Sequence, residues 1–173
     1  MNIFKSSDFK KMPWKNGGGE TTELYLISKG DSFLFRLSMA SVKSNGPFSS
    51  FPGMSRILLL LEGNGLELKG PHYQITMDNI TPFSFQGEDP IECTLIDGPC
   101  LDFNVMTNRD FAKSTISLVE LTQNETRNLT SACDLTLLYD KEEEKLYELK
   151  GSAVLHFKAV TPKRLIRVDV TFV

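Results

Sequence analysis

Phe33-Leu34-Phe35-Arg36-Leu37-Ser38-Met39 decides the fold class. In an extended chain Phe33, Phe35, Leu37 and Met39 fall on one face, and Arg36 and Ser38 fall on the other, the period-two pattern of a β-strand. Leu101-Asp102-Phe103-Asn104-Val105-Met106 repeats it, with Leu101, Phe103 and Val105 on one face and Asp102 and Asn104 on the other. Between them lies Arg56-Ile57-Leu58-Leu59-Leu60-Leu61, apolar on both faces after its first residue, which predicts a strand covered on both sides.

The same pattern continues outward. Gly63-Asn64-Gly65 reads as a hairpin turn into Leu66-Glu67-Leu68. Tyr73 to Met77, Ile91 to Ile96, Ile116 to Leu121, Leu135 to Tyr139, Lys145 to Leu149, Ala153 to Lys158 and Leu165 to Phe172 are further strands. Asp78-Asn79, Gly87-Glu88-Asp89-Pro90 and Asp97-Gly98-Pro99 are turns. The block Asp140-Lys141-Glu142-Glu143-Glu144 reads as a solvated hairpin loop, and a short helical turn is predicted from Asn108 through Phe111. Many short strands and few helical stripes indicate a sandwich or a barrel. No Pro/Ser/Gly-rich linker divides the 173 residues, so a single domain is expected.

Composition narrows the function. A net charge of −3 gives no basic surface for nucleic acid or an anionic membrane. The start has no long apolar segment of a secretory signal, and the longest apolar run, Ile57 to Leu61, is too short to span a bilayer. Cys93, Cys100 and Cys133 form no CxxC and leave one unpaired, which fits reduced thiols and a cytoplasmic location. His72 and His156 have no partners at ligand spacing, so neither a metal nor a cofactor is expected. There is no GxSxG, and Gly17-Gly18-Gly19 is not followed by Lys-Ser/Thr at P-loop spacing.

The binding candidates are polar. Pro13-Trp14-Lys15-Asn16-Gly17-Gly18-Gly19 joins a flat apolar ring, a cation, an amide and a glycine triplet whose backbone can approach another group closely. It reads either as a lip for a small anion or as a loop capping a barrel end. Arg36, Ser38, Asp102 and Asn104 would meet water in an open sheet and would converge on a cavity in a barrel. An arginine buried there needs a partner, either Asp102 or a ligand carboxylate. Arg56 follows the turn Phe51-Pro52-Gly53 and is placed at a strand mouth, where its fork suits a carboxylate or phosphate, with a rim salt bridge as the alternative.

The ordered set Pro13-Trp14-Lys15-Asn16-Gly17-Gly18-Gly19, Phe35-Arg36-Leu37-Ser38, Gly46-Pro47-Phe48-Ser49, Phe51-Pro52-Gly53 with Arg56, Pro82-Phe83-Ser84-Phe85 and Asp102-Phe103-Asn104-Val105-Met106 resembles the HutD/Ves family. The resemblance covers residues 12 to 109. It implies an all-β, cupin-type (RmlC-like) bicupin: two small antiparallel β-barrels in one compact chain, an amino-terminal one over about 12–109 and a carboxy-terminal one over about 110–173. It also implies a metal-free pocket in the first barrel for a pathway metabolite, N-formyl-glutamate being the usual suggestion, that moderates bacterial histidine utilisation or a related stress response. In this chain Lys15, Arg36 and Arg56 would bind the anion, and Asn16, Asn104, Ser38 and the backbone at Gly17 would add neutral hydrogen bonds. Trp14 would close a wall and Asp102 would orient an arginine. The alternative is a metal-independent isomerase, lyase or hydrolase using Asp102 and Lys15 as acid and base. Barrel edges leave a homodimer open.

Overall fold

The structure, a computed structural model, describes residues 1–78 and 80–173; the turn expected at Asp78-Asn79 includes Asn79, which lies outside the described residues. The first strands in chain order are β1 (Asn2–Lys5), β2 (Lys10–Pro13), β3 (Gly19–Lys29), β4 (Ser32–Val42), β5 (Gly46–Pro47) and β6 (Met54–Glu62). They are followed by β7 (Leu66–Lys69), β8 (Gln74–Met77), β9 (Phe83–Gln86), β10 (Glu92–Leu95), β11 (Cys100–Asn108) and β12 (Ala112–Leu121). The last are β13 (Thr126–Thr130), β14 (Leu135–Asp140), β15 (Lys145–Leu149), β16 (Val154–Lys158) and β17 (Lys163–Phe172). A single 3-10 turn, Ser6–Asp8, is the only helical segment among the described residues.

The chain divides into two compact units, Lys10–Phe111 on the one hand and Met1–Phe9 with Ala112–Val173 on the other. In the first, a six-stranded sheet of order β2-β3-β4-β11-β6-β9 faces a four-stranded sheet of order β5-β10-β7-β8. Their shared interior joins Val42, Leu58, Leu60 and Phe85 of the larger sheet to Leu66, Leu68, Met77 and Cys93 of the smaller. Each fully buried side chain of this size contributes about 1.5–3 kcal/mol through area removed from water. In the second unit a sheet of order β1-β15-β14-β17-β12 faces the pair β13-β16, with Leu121, Leu129, Leu138, Leu149, Leu155, Phe157, Ala159 and Leu165 packed together in its core, and Thr136, Asp140 and Glu148 are also buried in this unit. All strand pairs are antiparallel, and the hydrogen-bonded strand orders are open.

Three local expectations are corrected. Gly63-Asn64-Gly65 is not a hairpin turn: β6 pairs with β11 and β9 while β7 pairs with β10 and β8, so this stretch is a corner that carries the chain from one sheet to the facing one. Both glycines have positive φ (103° and 132°), and a Cβ at Gly63 would sit 2.8 Å from Pro99 O, so the corner excludes larger residues there. Residues 108–111 form no helix. Phe111 N–H donates to Asn108 O at 3.2 Å and Asp110 N–H donates to Asn108 Oδ1 at 3.1 Å, which closes an Asx-type turn. The charged block does form a hairpin loop, since Asp140 pairs with Lys145, but Asp140 itself is buried. Its carboxylate accepts from the N–H groups of Glu142 and Glu143, both at 3.1 Å, and takes an ion pair from Lys163 at 2.8 Å.

Candidate functional site

Register builds the site. Across β4, β11 and β6, Arg36, Met106 and Arg56 form one row, Ser38, Asn104 and Leu58 the next, and Ala40, Asp102 and Leu60 a third. Residues two apart along a strand share a face, so one face of the sheet carries two guanidiniums flanking Met106, with Ser38, Asn104 and Asp102 further along. This face looks inward. Ser38, Arg56, Asp102 and Asn104 are 2%, 5%, 2% and 6% exposed, which overturns the open-sheet alternative in which it meets water. A cavity of about 520 Å³ lies over it, within the range usual for small-molecule sites.

Arg56, the third residue of β6, is buried and makes no salt bridge with any described residue. Its guanidinium sits among three aromatic rings, 4.8 Å from the centroid of Phe85, 5.3 Å from Phe48 and 5.5 Å from Phe51. Phe85 is its direct cross-strand partner on β9. Nη1 donates to Ser49 O at 3.3 Å, and Nε makes no hydrogen bond to any described residue. Burial, opposed by the charge of Asp102, lowers its pKa from 12.5 to about 10. It therefore stays cationic at neutral pH, and the ring faces compensate part of the lost hydration.

Arg36 takes its partner from a residue that sequence reading did not select. Its Nε donates to Glu23 Oε2 at 2.8 Å across the β3–β4 pair, so Asp102 is not its counter-ion. Asp102 is instead nearest in charge to Arg56. Its carboxyl is pushed up from 3.8 to about 7 by burial, with Arg56 pulling the other way. Asp102 Oδ1 and Asn104 Oδ1 are buried and, like Arg56 Nε, have no hydrogen-bond partner among the described residues. Buried polar groups are normally paired, and these three atoms lie on residues that line one cavity. Burial, reinforced by Asp102, also pushes the Cys93 and Cys100 thiols up to about 11 and about 12, which keeps both as inert thiols at neutral pH.

The lip is a turn after β2. Gly17 N–H donates to Trp14 O at 3.0 Å and Gly18 N–H to Asn16 Oδ1 at 3.0 Å, while Trp14 Nε1 donates to Thr21 Oγ1 at 2.8 Å. Trp14, the only tryptophan, packs against the apolar interior and lines the cavity, and Lys15 and Asn16 line it from the exposed turn. Gly19 lets these parts meet: a Cβ there would lie 2.4 Å from Ser41 O and 2.9 Å from the Trp14 ring. Gly19→Ala is expected to push Trp14 outward, seen as a red shift of its fluorescence together with a lower melting temperature; an unshifted spectrum would contradict this packing.

Of the nine residues predicted from sequence, eight line the cavity: Trp14, Lys15, Asn16, Arg36, Ser38, Arg56, Asp102 and Asn104. Gly17 does not, and its N–H is used inside its own turn. The residues not selected are Glu23 and the aromatic cage of Phe48, Phe51 and Phe85. Only the cage left a signal, a phenylalanine in each short motif near Arg56. The lining contains no histidine and a single carboxylate, and among the described residues no three His, Cys, Asp or Glu side chains gather to hold a metal ion. The set does not fit the histidine-rich ligation of a transition metal. His72 and His156 are exposed, the latter with Nδ1 2.6 Å from Asn128 Oδ1.

Fold and site together define an all-β protein with a polar, arginine-lined cavity inside a small two-sheet unit. The HutD family model matches residues 6–162, and the chain belongs to the HutD family. It is 39% identical over 120 residues to Protein Ves of Cronobacter sakazakii and 38% over 121 residues to Protein Ves of Citrobacter koseri; each match covers 66% of this chain, and they span 66% and 63% of those relatives. The solved HutD of Pseudomonas fluorescens SBW25, from a formate condition, superposes with a TM-score of 0.82 at 25% identity over 99% of this chain and 98% of that one. The oxalate decarboxylase of Lactobacillus farciminis, in a formate complex, has a TM-score of 0.59 at 8% identity over 98% and 85%, a likeness of cupin-type fold alone. No helix among the described residues is long and apolar enough to cross a membrane.

Proposed function

We propose that this protein is a cytoplasmic bicupin that binds a small carboxylate metabolite in the cavity of its first unit and moderates histidine utilisation or a related stress response. Support comes from one observation above all: Arg56 Nε, Asp102 Oδ1 and Asn104 Oδ1 are buried around one cavity without partners. A ligand carboxylate would accept from Arg56, while an N–H on the same ligand would donate to Asn104. N-formyl-glutamate carries both groups. Lys15 on the exposed turn would meet a second carboxylate, and Trp14 would cover it. The two compact units and the cupin-type neighbour favour the two-barrel description.

A thermal-shift titration with N-formyl-glutamate, glutamate, urocanate and formate tests this. A ligand at 100 times its dissociation constant stabilises by about 2.7 kcal/mol, roughly 5–11 °C for a chain of this size. A shift with N-formyl-glutamate that chelator leaves unchanged is the expected result; no shift with any of the four would contradict it. The raised pKa of Asp102 favours a second reading, an acid–base enzyme in the same cavity. Turnover lost in Asp102→Asn would select it.

A further inference from the structure

We infer that Asp102 enters the anion complex as the neutral acid, so that filling the cavity with a carboxylate takes up one proton from solvent. This rests on reading the cavity as a carboxylate site. Asp102 lies mid-strand on β11 between Ala40 and Leu60, both apolar, and Oδ1 receives no hydrogen bond from any described residue. No described residue therefore stabilises a charge on Oδ1 by contact, and the charge of Arg56 is what opposes the effect of burial. Arg36, the other guanidinium, is already held by Glu23.

A bound carboxylate changes this balance in one direction. It claims the free donor of Arg56, which is the positive influence that Asp102 had. It also adds a second negative charge beside a carboxyl that is itself 2% exposed, and two neighbouring carboxylates at a buried site disfavour joint ionisation. Protonated, Asp102 becomes a donor, and an O–H···O⁻ bond to the ligand is among the stronger hydrogen bonds available to it. The groups facing Asp102 do not supply that proton. Lys15, Arg36, Ser38 and Arg56 line the cavity with it, Glu23 pairs with Arg36, and the charge of Asp102 reaches the thiols of Cys93 on β10 and Cys100 on β11. The thiols are held protonated throughout, and no histidine lines the cavity. Asp102, raised to about 7, is the group poised to take it.

The test is calorimetric titration of the whole protein with N-formyl-L-glutamate in two non-carboxylate buffers of different ionisation enthalpy, at pH 8 and at pH 5.5. The probe's own carboxyls are fully ionised at pH 8 and more than about nine-tenths ionised at pH 5.5, so a count near one proton belongs to the protein. Uptake is expected to be close to one proton at pH 8 and close to none at pH 5.5. Affinity should weaken about tenfold per pH unit above the titration of Asp102, and Asp102→Asn should bind with no uptake at either pH. Binding at pH 8 without proton uptake in the unaltered protein overturns the inference and leaves the carboxylate site standing. Absence of both binding heat and thermal stabilisation overturns the carboxylate site, and the inference with it.

Discussion

Arg56→Met is expected to lower affinity for N-formyl-glutamate by at least about 100-fold while leaving the chain folded. Charge-assisted hydrogen bonds contribute roughly 1.5–3 kcal/mol each, so losing a two-pronged contact removes about 3 kcal/mol or more, which is two decades of affinity. The fold should survive because the methionine side chain is a fair filler for a slot between Phe48, Phe51 and Phe85, and its sulfur packs well on ring edges. Replacing a buried charge by an apolar group of similar volume is often neutral or stabilising. Arg56→Ala is the less informative variant, since it opens a hole among the same three rings and confounds binding with stability. Circular dichroism and unfolding midpoints of Arg56→Met beside its titration curve separate the two effects. Unchanged affinity in a folded Arg56→Met protein would remove this arginine from the site.

Asp102→Asn is expected to stabilise the ligand-free protein at pH 8 and to leave it unchanged near pH 4. Burial raises the carboxyl from 3.8 to about 7, so between those values the unfolded chain releases its proton while the folded one keeps it. Folding then opposes ionisation, and stability falls as pH rises through this window, reaching its full deficit above about pH 7. A pKa shift of one unit corresponds to about 1.4 kcal/mol, which sets an upper bound of about 4 kcal/mol here. The amide carries no charge and escapes the deficit. Urea unfolding of both proteins at pH 4, 6 and 8 should give a gap that opens with pH to about 2–4 kcal/mol. A gap that stays constant across this range would mean that Asp102 does not titrate in the cavity.

The parts of the fold that follow period two were legible in the sequence. β4, β6, β11 and β15 lie where alternation or an unbroken apolar run placed them, because each carries that pattern along its own length. β3 was invisible for a physical reason. Its register against β4 shifts between Glu23 and Tyr25 and again between Ile27 and Ser28, which breaks the alternation that identifies a strand. β1 and β2 are only four residues each, and the adjacent Ile3 and Phe4 in one and Met12 in the other are too few to show a period. The corner at Gly63-Asn64-Gly65 has the composition of a hairpin turn, and only the strand pairing on either side tells the two apart.

The site was legible to a similar depth. Arg36, Ser38, Asp102 and Asn104 stand out because polar residues break otherwise apolar strands at alternate positions. What those residues face is set by pairing between strands far apart in sequence, so the choice of Glu23 for Arg36 and the cage around Arg56 could not be read from spacing. The bonds that close the lip turn, which use the N–H groups of Gly17 and Gly18 internally, were hidden in the same way.

Trp14 offers the most direct test, since the only tryptophan of the chain forms part of the cavity wall. Its emission should change along a single saturable curve as N-formyl-glutamate is added to the unaltered protein, and the same additions to Arg56→Met should leave it flat. A flat response in the unaltered protein, or an identical saturable curve in both, would contradict a carboxylate site built on Arg56.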